Sequence, residues 1–164
     1  MATAARATQF ESLTDARQGS LLDAVCEFPQ LVLKAAPSAA ILRIGVVPSA
    51  MALLLPRLRE TAAQNGLDFA SLTHASGVAY AALLPKQADG ASASLERAVH
   101  ESFGECGRSE IAAQATLEWG PAEVKRALGG VWNLPGQNFE LMRRIKSVFD
   151  PGAILSPGRL GGGI

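Results

Sequence analysis

Arg43 is the residue of this sequence best suited to hold a carboxylate. It lies in Ile41-Leu42-Arg43-Ile44-Gly45-Val46-Val47, an aliphatic run with a single charge. A guanidinium offers a planar fork of donors that matches a carboxylate bidentately. The competing reading is an ion pair with Glu118 across a sheet. His74 is the second candidate, because an imidazole can hydrogen-bond or move a proton near neutral pH. His100 stands among polar neighbours in a helical pattern and reads as a surface residue. Near the C-terminus, Ser156-Pro157-Gly158-Arg159 forms a turn that presents one fixed positive charge, or else a solvated tail. Hydrolase and kinase chemistry find no support, since no Ser-His-Asp order, paired-carboxylate spacing or Walker loop occurs. Gly129-Gly130 and Gly161 to Gly163 do not fall between a strand and a helix, which makes them poor pyrophosphate cradles.

These residues sit in a chain of 164 amino acids with 15 basic and 15 acidic side chains, 48% apolar and 18% charged. One domain, or one domain with a tail, is expected at that length. The apolar content excludes global disorder. Zero net charge argues against general nucleic-acid binding, which needs an excess of Lys and Arg. Cys26 and Cys106 lie far apart without a Cys-x-x-Cys motif, so both are expected as reduced thiols rather than a disulfide framework or a zinc site. No apolar run approaches the roughly 18–20 residues of a membrane span. The opening stretch lacks the apolar core of a secretory signal, and Glu11 and Asp15 make it a poor transit peptide. A soluble, cytoplasmic protein is the expectation.

The elements that must position Arg43 and His74 are legible from periodicity. Residues 1–38 read as a polar, partly helical lead-in: Leu21, Leu22, Val25 and Cys26 share a helix face that Pro29 ends, and Leu31 to Leu33 form a short strand or a docking segment. Residues 39–135 carry the order β-α-β-β-α-β. The strands are Ile41 to Val47, Leu67 to His74, Gly77 to Leu84 and Ser109 to Pro121. The helices begin at Pro48 and Ser92. Pro56 should kink or split the first of them. A further short helix starts at Pro121, and residues 136–164 form a C-terminal helix and tail. The predicted fold is α+β, a ferredoxin-like antiparallel sheet with its helices on one face. Alternation places Leu42, Ile44 and Val46 on the buried face, and Arg43, Gly45, Gln114, Thr116 and Glu118 on the other. That second face is either solvated or meets a ligand or another domain.

The most specific stretch is the last one. Phe139, Met142, Ile145 and Phe149 repeat at helical spacing, Asp150-Pro151-Gly152 stops the helix, and Ile154-Leu155 precede the Ser-Pro-Gly-Arg turn. Met142, Arg143, Arg144, Lys146, Phe149, Asp150, Pro151, Ile154, Leu155, Pro157, Gly158 and Arg159 resemble the C-terminal motif of FAD-linked oxidases of the vanillyl-alcohol oxidase superfamily. Within that superfamily the chain looks most similar to the FAD-binding subunit of bacterial glycolate oxidase. Ser156 stands where the family usually has Asn, and Gly152-Ala153 reverses the usual order.

This resemblance implies a C-terminal substrate or cap domain that covers a flavin held mainly by another domain or subunit. It implies FAD as cofactor, a small 2-hydroxy acid as substrate, and an FAD-binding partner with an iron–sulfur subunit as a further candidate. Arg43 would then bind the substrate carboxylate, and His74 and Tyr80 would act at the reacting centre. Ser156, Gly158 and Arg159 would reach the cofactor. Relatives with a two-histidine metal motif find only His74 matched here, with Tyr80 about where the second histidine falls, so no metal site is expected. The alternative is a non-catalytic ferredoxin-like module for binding or oligomerisation.

Overall fold

The computed structural model describes residues 14–87, 91–133 and 136–156. Helices α1 (Asp15–Cys26) and α2 (Phe28–Ala35) lead into strand β1 (Ala40–Gly45). Then come α3 (Pro48–Gln64), β2 (Leu67–Thr73), β3 (Val78–Pro85), α4 (Ser92–Cys106), β4 (Gln114–Trp119), α5 (Ala122–Ala127) and α6 (Gly136–Phe149). The sheet runs β2-β3-β1-β4 with every pair antiparallel. This is the ferredoxin-like arrangement expected from the element order.

One sheet face receives α3 and α4. From α3 come Ala50, Leu54, Leu58 and Ala62, and from α4 Leu95, Ala98, Val99 and Cys106. They pack on Leu42, Ile44, Ala79, Ala81, Leu83, Ala115 and Leu117. Because i, i+4 and i+7 share a helix face, each helix delivers one apolar stripe to this layer. Pro56 does not split α3, which runs through it as one helix from Pro48 to Gln64. The proline is exposed, so the carbonyl it leaves without an N–H partner lies on the solvent side.

The lead-in does more than precede the sheet. Pro29 closes α1 and also stands in the first turn of α2, where its missing N–H costs nothing. Leu31 to Leu33 are therefore helical rather than extended. Val32 is buried against Ile41 and Ala82, with Phe28, Leu33 and Ala36 packed beside Ala70, Tyr80 and Leu84. Helix α2 thus covers part of the second face. Helix α1 contributes little: Leu21 and Leu22 are 51% and 55% exposed.

Strand β4 differs from expectation at both ends. Residues 109–112 form a turn in which Ala112 has φ 49°, and the ladder starts only at Gln114. At the other end a bulge intervenes: Leu42 faces Leu117, yet Ile41 faces Trp119. Glu118 falls in that bulge, and Trp119 joins the Ile41 face instead. Beyond β4, residues 131–133 run along its outer edge, with an antiparallel bridge between Thr116 and Trp132. The Leu117 N–H donates to Val131 O at 2.7 Å, and the Asn133 N–H donates to Ala115 O at 3.0 Å.

Candidate functional site

Register fixes the site. In antiparallel pairs, directly opposed residues project to the same face with Cα atoms about 4.5–5.5 Å apart. Leu72 opposes Tyr80, Tyr80 opposes Arg43, and Arg43 opposes Thr116. These four residues form one row across the full width of the sheet, on the face away from α3 and α4. The next row toward the β2–β3 turn is Val78, Gly45 and Gln114. The row on the other side contains Ala82, Ile41 and Trp119, and there α2 covers Ile41 and Ala82. The second face is therefore half closed and half open, with the Arg43 row at the border.

The turn between β2 and β3 brings His74 to the same place. His74 N–H donates to Val78 O at 2.8 Å, and Gly77 N–H donates to His74 O at 3.1 Å. The His74 and Tyr80 rings meet edge to face, with centroids 6.3 Å apart and planes at 73°. Gly77 adopts φ 89° and its carbonyl accepts from Val46 N–H at 2.9 Å, which ties the turn to the end of β1. A side chain here would run its Cβ into the Val46 carbonyl oxygen. Gly45 is the opposite case, since nothing lies within 4 Å of where its Cβ would be. A glycine inside a strand often marks a place where a ligand or another backbone comes close.

Arg43, His74 and Tyr80 thus converge, whereas the expected ion pair between Arg43 and Glu118 does not form. Among the described residues Arg43 has no ion-pair partner, whereas Arg57 and Arg108 do. The bulge explains this: a regular ladder would seat Glu118 opposite Ile41, diagonal to Arg43 on the same face, and Trp119 takes that place instead. Arg43 is exposed, Tyr80 and Thr116 are half-buried, and Gln114 and His74 are exposed. The arrangement can hold an anion on a fixed cation, beside an imidazole and a phenol able to exchange protons. Asn133 carried no recognisable signal in the sequence. Its Nδ2 donates to Ala113 O at 3.0 Å and its Oδ1 accepts from Ala115 N–H at 2.5 Å, which pins the strand bearing Gln114 and Thr116.

The tail candidates lie elsewhere. Ser156 is exposed with φ 47°, at the end of a turn below α6. Gly158 and Arg159 fall outside the described residues. The turn is locked by Asp150, whose side chain is only 3% exposed. Its Oδ1 accepts from Ile154 N–H and its Oδ2 from Leu155 N–H, both at 3.0 Å. Lys146 Nζ reaches the Asp150 carboxylate as well, and donates to Leu155 O at 2.5 Å. The Lys146 bond, chiefly, and the two backbone donors hold the Asp150 carboxyl below the usual range, against the opposing effect of burial. Helix α6 itself makes no substantial contact with the sheet among the described residues. Leu141, Met142, Ile145, Val148 and Phe149 are all exposed.

His100 is exposed as expected and lines a cleft of about 390 Å³ with Phe103, Leu128 and Trp132, between α4 and the turn after α5. That cleft does not include Arg43. No cluster of three or more His, Cys, Asp or Glu side chains suited to a metal occurs among the described residues. No helix among them is long and apolar enough to cross a membrane.

No curated protein and no solved structure matches the chain. One family model does: residues 133–160, from the asparagine that pins β4 through α6 and the Asp150 turn, match the C-terminal domain of FAD linked oxidases.

Proposed function

We propose that the chain is the C-terminal substrate or cap region of an FAD-linked oxidoreductase that oxidises a small, glycolate-like 2-hydroxy acid. The observation that carries this reading is the unpaired Arg43 in one sheet row with Tyr80, and with His74 against Tyr80, on the half of the second face that α2 leaves open. The family match at residues 133–160 supports the flavin connection. In this reading Arg43 binds the substrate carboxylate, Tyr80 orients the 2-hydroxyl, and His74 accepts its proton. When bound, FAD supplies the two-electron acceptor.

The described residues fit a flavin as a wall rather than as a holder. β1 enters α3 through Val46, Val47 and Pro48, so the helix N-terminus has no glycine turn to admit a pyrophosphate. The open strip beside Gly45 has room for a flat partner. In this proposal a companion domain or subunit holds the cofactor, Ser156, Gly158 and Arg159 are the residues of this chain that contact it, and an iron–sulfur subunit is a further companion.

The test is complementation. An FAD-linked 2-hydroxy-acid oxidase stripped of its own C-terminal region should regain glycolate-dependent dye reduction when this chain is added. Arg43→Lys should raise KM more than it lowers kcat. No rescue by a correctly folded chain would refute the proposal, and so would stoichiometric FAD binding by the chain alone, read as flavin absorbance after gel filtration.

The outward apolar side of α6 favours a second reading, that of a non-catalytic binding or oligomerisation module. A stable homodimer in light scattering, dissociated by Ile145→Asp and indifferent to glycolate, would favour it.

A further inference from the structure

We infer that Thr116 and Gln114 on β4 are specificity-determining residues that select a hydroxy acid over a plain carboxylic acid at Arg43. The inference deepens the proposed function and rests on its assignment of Arg43 as the carboxylate site. The argument starts from register. Thr116 is the direct cross-strand neighbour of Arg43, and Gln114 follows one row along, opposite Gly45. All four positions share the face that α3 and α4 do not cover. A carboxylate seated on the Arg43 guanidinium therefore has β4 on one flank and Tyr80 on the other.

The chemistry of the two flanks differs. Among the described residues, neither the Thr116 hydroxyl nor the Gln114 carboxamide has a hydrogen-bond partner in the protein. Both are neutral groups that donate as well as accept, so they complement a hydroxyl without competing for the anion. Their positions are not left to chance. Asn133 brackets Ala113 and Ala115 from the outer edge, and Leu117 is tied to Val131, so the strand carrying both side chains is hydrogen-bonded on two sides. The space over Gly45, in the row beside Arg43, is clear, because Gly45 has no Cβ and nothing stands within 4 Å of one. The opposite direction is closed, since Ile41 and Ala82 are covered by α2 and Trp119 stands beside them. The open direction therefore runs over Gly45, between His74 and Tyr80 on one side and Thr116 and Gln114 on the other, so a hydroxyl next to the carboxylate that gives its proton to His74 can accept from β4. A site built around polar partners rejects ligands that leave those partners unpaired.

The test uses binding to the 164-residue chain, with glycolate and acetate as probes that differ by one hydroxyl. In amide NMR titrations, glycolate should shift the signals of residues 43–45 and 114–116 and bind about three- to tenfold more tightly than acetate, the yield of one or two modest hydrogen bonds. Thr116→Val keeps the β-branched shape a strand favours and should bring the preference down to about twofold or less, leaving acetate affinity as it was. Gln114→Leu should act the same way. Arg43→Ala should abolish binding of both probes. Equal affinity for glycolate and acetate in the parent chain, no response of these amides to either, or an unchanged preference in both β4 variants would overturn the inference. Because no flavin is present, these results are independent of the complementation assay: selectivity without rescue would leave the site standing and remove the oxidase.

Discussion

Replacing Gly77 with alanine tests how the candidate site is held, and the structure supplies a matched control in Gly45. Both glycines lie within a few residues of Arg43, His74 and Tyr80 and both would acquire a single methyl group. At Gly77 the backbone sits at φ 89°, where an L-residue costs about 1–2 kcal/mol. The new Cβ would also overlap the Val46 carbonyl oxygen, which is backbone and cannot rotate away. Relieving the overlap stretches or breaks the 2.9 Å bond from Val46 N–H to Gly77 O, worth about 0.5–1.5 kcal/mol. The restriction of the unfolded chain by alanine returns about 0.4–1 kcal/mol. The balance is a loss of roughly 1–3 kcal/mol, or about 2–12 °C in Tm for a chain of this size. At Gly45 no atom opposes the methyl group, so only the favourable unfolded-state contribution remains and Gly45→Ala should be neutral or slightly stabilising. Thermal and urea unfolding followed by circular dichroism would measure both. In Gly77→Ala the edge-to-face contact of His74 and Tyr80 should also loosen, visible as altered ring-proton shifts. A Gly77→Ala chain as stable as Gly45→Ala would refute the account of the turn.

Three shorter tests address other parts of the molecule. A thiol reagent should label one cysteine in the native chain and two after denaturation: Cys26 is exposed, whereas Cys106 is buried and its thiol is pushed up to about 12, by desolvation first and by Glu105 second. Leu117→Ala should destabilise by about 2.7–5.0 kcal/mol through lost contact and cavity formation, while Leu21→Ala in α1 should stay within about 0.5 kcal/mol; both can be read from urea midpoints. The Asp150 carboxyl is depressed in the folded chain, so its contribution is complete above the unfolded pKa and disappears as pH falls through the folded value. Protection of the Ile154 and Leu155 amides against hydrogen exchange, taken relative to the intrinsic rate at each pH, should therefore be present near neutrality and lost in acid, and absent at both in Asp150→Ala.

Periodicity revealed the elements that obey a simple period. Leu42, Ile44 and Val46 alternate with Arg43 and Gly45, and the leucines of α3 return every four residues; the sheet, its order and the buried face follow from that. Arg43, His74 and Tyr80 were nominated separately, Tyr80 through a resemblance alone; one hairpin joins the last two, but Arg43 meets Tyr80 only through a pairing 37 residues apart. Where a local pattern has two solutions, tertiary contact chose between them. Phe28, Val32 and Leu33 suit a helix as well as a strand, and they form a helix because the apolar patch around Ile41 and Ala82 takes up that side. The bulge at Glu118 breaks the two-residue alternation by inserting a residue, and nothing in Leu117-Glu118-Trp119 announces it. Asn133 has no local role at all; its amide matters only because β4 presents an unpaired edge to it.

The way residues 131–133 cling to β4 sets a direction for growth. A four-stranded sheet has two borders at which a foreign strand can be admitted, and unpaired borders are where chains join unintentionally. Here one border is occupied by the chain's own backbone, and among the described residues β2 forms the other. An added strand would have to enter next to Leu67–Thr73, two strands away from Arg43. Recruitment by sheet extension and capture of an anion by the guanidinium can therefore proceed side by side without contending for the same ground.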